Sequence, residues 1–271
     1  MNAAGQPMTT AFAGPLAGAL ARDGRDWIVP RWSAPAGIAA FSTTRNGGVS
    51  AGAYASLNLG AASARRAAAD DPLAVAQNRA RVQAHLPSQP VWLDQVHGST
   101  VHVPTSERAA TPPMADAAVT GERNVVLAVL TADCLPLVLA DRGGTTVGIA
   151  HCGWRGLAAG VVEGVLRTMA LPAADIVAWM GPAIGPAAFE VGADVRDVFV
   201  AQAAADAAAF RPKRTGKWWA DIYALARARL FRAGVTDIHG GGLCTVTDAQ
   251  RFFSFRRDGE TGRMATFAWR R

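Results

Sequence analysis

Residues 124–156 read NVVLAVLTADCLPLVLADRGGTTVGIAHCGWRG. Three apolar runs of strand length stand out, at 124–130, 135–140 and 145–150, each carrying β-branched residues. Asp141-Arg142-Gly143-Gly144 has turn composition and separates the last two. Runs that are apolar without alternation predict strands covered on both faces, and so a layered core. A helix is expected after them, over about 155–170.

Working outward, strands are expected at 26–30 and 37–43, then a loop over 44–60, TRNGGVSAGAYASLNLG. Loops of that length without elements of their own are often functional. Asp70, Asp71 and Pro72 start a helix that runs to about Leu86, and a strand at 91–93 leads into Asp94-Gln95-Val96-His97-Gly98. On the far side the pattern predicts a strand at 175–180, helices at 194–210 and 220–233, and short strands at 235–238, 243–246 and 264–269. There is no repeat and no Pro/Ser-rich linker. Strands and helices do not alternate strictly, which argues against a doubly wound parallel sheet. The expected architecture is α+β: one catalytic domain over residues 25–271 with a mixed β-sheet core and flanking helices. Residues 1–24 are Ala- and Gly-rich, lack a basic start, and have Pro15 inside their apolar part. They read as a loose N-terminal extension and not as a signal peptide.

The chain has 271 residues, 50% apolar and 18% charged, which excludes disorder. No stretch approaches the roughly 18 apolar residues of a membrane span. Basic residues outnumber acidic ones 27 to 21, and all but Lys213 and Lys217 are arginine. The arginines are scattered and no aromatics interleave with a basic run, so nucleic acid is not an expected partner. Isolated arginines suit small anions such as phosphate. Three cysteines is an odd number, with Cys134 and Cys152 close to histidines; chemistry in a reducing cytoplasm is expected, not disulfides.

Three segments at strand ends carry a soft or imidazole ligand: Gln95-Val96-His97-Gly98, Asp133-Cys134-Leu135-Pro136 and His151-Cys152-Gly153. His97, Cys134 and His151 together present two imidazoles and a thiolate, a set that suits zinc with a fourth position open. Cys152 follows His151 on a strand, so its side chain should face the opposite way. His85 and His239 read as ordinary structural histidines, and His102 stays undecided. Asp133 reads either as a proton carrier or as the partner that orients a histidine. A Cys–His hydrolase with Cys134 as nucleophile fits the same residues, but a metal-bound thiolate is a poor free nucleophile.

From about residue 37 onward the chain resembles the bacterial YfiH/YlmD family, related to mammalian FAMIN. The motifs that carry the resemblance are FSTTRNGGVSAGAYASLNLG, QVHG, TADCLPL, AHCGWRGLAAGV, GPAIGPAAFEVG and FSFRRDGETGR. Cys152 stands where the family usually has alanine, and Ala188 where cysteine or another residue is common. The resemblance implies zinc held by His97, Cys134 and His151. It implies purine nucleoside phosphorolysis of adenosine, inosine and methylthioadenosine with phosphate, accompanied by adenosine deamination. An older label, copper-dependent polyphenol oxidase with several copper centres, needs more histidines than the five present, while a single copper at His97, Cys134 and His151 stays open as the alternative to zinc. The motifs further imply Arg45 and Asn58 as substrate contacts. Glu190 is expected to accept from ribose or base. Arg155 and one of Arg256 and Arg257 are expected to bind substrate, since alternation on a strand would send only one of that pair inward.

Overall fold

The computed structural model describes residues 15–61, 70–105 and 111–271. The strands are β1 Ile38–Ser42, β2 Pro90–Val91, β3 Val101–His102, β4 Ala117–Thr120, β5 Val126–Thr131, β6 Leu135–Asp141, β7 Val147–Cys152, β8 Ile176–Met180, β9 Glu190–Gly192, β10 Phe210–Arg214, β11 Lys217–Ala220, β12 Asp237–Gly240 and β13 Met264–Arg270. The helices are α1 Pro15–Arg22, α2 Pro72–Gln83, α3 Trp154–Ala158, α4 Val161–Met169, α5 Ala193–Gln202, α6 Ile222–Arg232 and α7 Phe255–Asp258.

The strands form a four-stranded sheet ordered β1-β13-β5-β2, a six-stranded sheet ordered β12-β8-β6-β7-β4-β3, and a small sheet ordered β10-β11-β9. Parallel pairs (β2/β5, β3/β4, β8/β12) sit among antiparallel ones, the mixed α+β architecture the sequence leads one to expect. Alternation along each strand explains the layering. Val138 and Ala140 of β6 face Leu127 and Val129 of β5 in the core between the two larger sheets. Leu135, Leu137 and Leu139 face the other way, onto Leu157, Val161, Val165, Leu225 and Leu230 of α3, α4 and α6. The outer face of the four-stranded sheet is covered by Trp27, Leu57, Leu59 and Val82. Strands β5 to β8 are therefore buried on both faces, as their unbroken apolar runs require.

Two links cross between the large sheets at one end. Strands β2 and β5 run parallel and both stop there; β2 passes to β3, and β5 passes to β6, in the six-stranded sheet. The first link carries His97 and the second carries Asp133 and Cys134. Strand β7 runs antiparallel to β6 with Leu135 opposite Cys152, so it ends where β6 begins and delivers His151 to the same place.

Several expectations are corrected. The helix expected over 155–170 is broken into α3 and α4 by Gly160, which takes a left-handed conformation (φ 85°). The one expected over 194–210 ends at Gln202; a 3₁₀ segment Ala204–Ala209 follows, and Phe210 opens β10. Residues 26–30 and 243–246 make only the isolated bridges Ile28–Ser42 and Ala183–Cys244. The arginine pair 256–257 lies in the helical turn α7, capped by Ser254, not on a strand. Of the extension expected over 1–24, residues 1–14 lie outside the described residues. Within 15–24, Leu20 of α1 is buried in the cluster with Trp27 and Phe41. No helix among the described residues is long and apolar enough to cross a membrane.

Phe41 has no exposed surface; it stacks on Trp27 with ring centroids 5.0 Å apart and touches Phe267 and Trp269. Phe41→Ala is expected to lower stability by about 3–5 kcal/mol, read as a shift in denaturant midpoint. A change under about 0.5 kcal/mol, the range of ordinary surface positions, would contradict the assignment of this face as core.

Candidate metal centre

His97, Cys134 and His151 come together so that one ligand atom from each lies within 4.8 Å of the others. Cys134 Sγ is 3.8 Å from His97 Nε2, and the two imidazole rings meet edge to face at 4.7 Å. Their exposure is graded: His151 is buried, Cys134 half-buried and His97 exposed. Gly153 makes room for the cluster. A Cβ there would stand 2.9 Å from His97 Cδ2 and 3.1 Å from Cys134 Sγ.

The residue the sequence reading missed is Asp116, fully buried directly before β4. Its Oδ1 accepts from the His97 N–H and from His151 Nδ1, each at 2.8 Å. Its Oδ2 accepts from the N–H groups of Val96 (3.1 Å) and Gly98 (2.7 Å). His151 Nδ1 thus donates to a carboxylate, which leaves Nε2 free to serve as a ligand atom. His97 has a left-handed backbone (φ 61°), uncommon for a residue with a Cβ. Gln95 anchors the same loop to β5 through both its amide atoms, donating to Leu130 O and accepting from Leu130 N. No local sequence signal marked Asp116: it stands before a strand of four residues, Ala117–Thr120, and its partners lie far off in the chain.

Asp133 does not orient a histidine, since Asp116 fills that role. Its carboxylate accepts from Thr245 Oγ1 (2.5 Å) and Arg256 N (2.7 Å), tying the Cys134 loop to α7. The Arg256 guanidinium reaches the Glu190 carbonyl at 2.8 Å, and the Glu190 carboxylate is held by Lys213 (2.5 Å) and Arg214 (3.0 Å). Arg155 is exposed and lies over its neighbour Trp154. Arg45 and Asn58 brace loops. Arg45 donates to Ala55 O and Ala249 O and packs on Phe253. Buried Asn58 accepts from the N–H groups of Gly60 and Arg263 and donates to Asp70. Cys152 points into the helix-facing core, away from His151, and burial pushes its thiol well up.

Residues 39–271 match the family described as multi-copper polyphenol oxidoreductase laccase. The chain belongs to that family. A Pseudomonas aeruginosa relative named purine nucleoside phosphorylase is 49% identical, over 90% of this chain and 98% of its own. The Escherichia coli protein named purine nucleoside phosphorylase YfiH is 51% identical over 89% and 98%. A Neisseria meningitidis crystal structure is 46% identical with a TM-score of 0.84, covering 91% of this chain and 99% of that one. YlmD from Geobacillus stearothermophilus is 33% identical with a TM-score of 0.79, over 87% and 93%.

The electrostatics of this family member's cluster favour an ion pair. Burial pushes the Cys134 thiol up, but the charge of His151 and hydrogen bonds from both histidines outweigh it and draw it down to about 6. Burial lowers His151, but the Cys134 thiolate and the Asp116 hydrogen bond outweigh that and raise it to about 9. Between these values the metal-free protein holds a Cys134 thiolate beside a protonated His151.

Alkylation requires the thiolate. In chelator-treated protein, Cys134 labelling should rise with pH and reach half its maximum near pH 6, while Cys152 stays inert. Peptide mapping separates Cys134 from Cys244, whose thiol is also lowered, by hydrogen bonds that outweigh burial. A Cys134 midpoint above pH 8 would contradict the ion pair. With zinc as the probe of metal binding at the cluster, Cys134→Ala should weaken its affinity by more than the roughly 10–100-fold that loss of a supporting hydrogen bond costs. Cys152→Ala should leave it unchanged. Full zinc in the Cys134 variant, by elemental analysis, would remove Cys134 from the site.

Proposed function

We propose that the chain is a purine nucleoside phosphorylase centred on His97, Cys134 and His151 with zinc. Its substrates in this reading are adenosine, inosine and methylthioadenosine with phosphate, and adenosine deamination is its second activity. The observation that carries the reading is the likeness to proteins named for that phosphorylase, near 50% identity across 98% of their length. The cluster is the second support. Two imidazoles and a thiolate suit zinc, and the exposure of His97 leaves the cluster open toward solvent, as a catalytic centre requires and a closed structural one does not. Zinc bound there supplies a Lewis acid.

Phosphorolysis requires that phosphate be held against the anomeric carbon while the purine departs. Arg256 brings a cation beside the Cys134 loop, because its own N–H is fixed to Asp133. We assign it and exposed Arg155 to phosphate. Asp133 serves this reading by fixing Arg256. Glu190, on the far side of Arg256, is the acceptor for ribose hydroxyls, with Lys213 and Arg214 holding it charged. Arg45 and Asn58 shape the 44–60 loop that borders the substrate.

Multi-copper phenol oxidation fits the residues less well, since it requires several copper centres rich in histidine. All five histidines fall among the described residues, and only His97 and His151 join a ligand group. His85 packs edge-on against Trp27, His239 pairs with Asp237, and His102 lies on β3.

Inosine should be cleaved only when phosphate is present, yielding hypoxanthine and ribose 1-phosphate. Equal cleavage without phosphate, giving free ribose, would make the protein a hydrolase and defeat the reading. Adenosine without phosphate should yield inosine; no inosine would confine the enzyme to phosphorolysis.

A further inference from the structure

The backbone at His97 is held in a conformation that a side-chain-bearing residue rarely adopts. Only that turn aims the consecutive N–H groups of Val96, His97 and Gly98 at one point, and the point is the Asp116 carboxylate. The same carboxylate takes Nδ1 of His151, on a different element. Sheet register makes the meeting possible. Ala117 of β4 lies opposite Ala150 of β7, so Asp116 stands next to His151, whose N–H donates to Asp116 O at 2.7 Å. A single buried acid therefore touches two of the three ligand-bearing segments and no solvent.

We propose that Asp116 is the positioning residue that assembles the metal-binding set before metal arrives: it locks the 95–98 loop so that His97 faces Cys134, and it fixes His151 to bind through Nε2. The proposal rests on His97, Cys134 and His151 forming the metal site. Asp116 makes no ligand contact of its own in this scheme; all its acceptor positions are filled by the four donors. Asparagine at 116 would keep one carbonyl oxygen but turn an N–H₂ group toward either His151 Nδ1 or the loop N–H groups, opposing one donor with another.

The test uses the full chain, with zinc alone and cobalt(II) alone as probes. Asp116→Asn should lose roughly 10–100-fold in zinc affinity by chelator competition. Its cobalt complex should keep the Cys134 thiolate charge-transfer band while the ligand-field bands change, the signature of lost imidazole ligation that a merely structural role would not produce. Placed on His97→Ala, Asp116→Asn should weaken zinc less than it does in the parent, because part of its effect runs through His97. Parental zinc affinity together with a parental cobalt spectrum would overturn the proposal, as would full additivity with His97→Ala. A measurement on the unaltered protein guards against misfolding of the variant: ¹⁵N NMR of the zinc-loaded chain should show His151 bound through Nε2 with Nδ1 protonated, and binding through Nδ1 would overturn the proposal. If Cys134→Ala and His151→Ala both keep parental zinc affinity, the metal-site reading itself has failed, and the proposal falls with it.

Discussion

A carboxylate with no exposed surface is an expensive thing to bury unless donors surround it, and the Asp116 carboxylate has four. Burial pushes its acidity toward the neutral form; the His151 hydrogen bond and the Gly98 and Val96 N–H groups reverse that and hold it below the usual carboxylate range. The charge stays, and so does its attraction for imidazole and amide donors. Truncating such a group would leave three N–H groups and a ring nitrogen without their acceptor, which is why the loop, the histidine and the carboxylate form one unit.

That unit sits where the two large sheets exchange strands. Backbone crossing from one layer to another must leave its ladder, and its polar groups then need side-chain partners. The partners are visible: Gln95 completes the edge of β5 at Leu130, Asp116 takes the N–H groups of 96–98, and Asp133, itself left-handed (φ 92°), takes Thr245 and Arg256. Polar residues gather at this end because the crossing requires them. A ligand cluster placed there inherits rigid support from both sheets and an opening to solvent at His97.

The apolar runs of β5 to β8 were legible because burial on both faces writes itself as an unbroken stretch, and Cys134 and His151 because they stand at the ends of such runs; His97 instead follows the short, half-buried β2. Asp116 was not legible, since its value lies in what approaches it: N–H groups twenty residues upstream and a ring thirty-five residues downstream, which no local pattern encodes. The alanine-rich segment after Gln202 has high helix propensity, yet tightens to 3₁₀ and gives way to β10, a case of tertiary context overriding local preference. Arg45 and Asn58 show the opposite limit. Their motif was recognisable, but a motif does not say whether a polar side chain serves a ligand or its own loop, and here both close loops.

Cys152 shows how strictly the strand separates roles. It is one residue from His151 and feels the charge of Cys134, yet the period of two turns it into the core with Leu157 and Val161, where burial first and that charge second keep it a neutral thiol. Alanine in its place would fill the same inward slot with less volume and no chemistry lost. A single-residue slip of β7 against β6 would reverse this, sending His151 into the apolar layer and Cys152 to the cluster. The register from Leu135–Cys152 to Ala140–Val147 therefore chooses which side chain joins His97 and Cys134, and it is fixed by the burial of Ile149 toward one sheet and Ala150 toward the helices. The chemistry of the centre is in this sense decided by apolar packing several residues away from it.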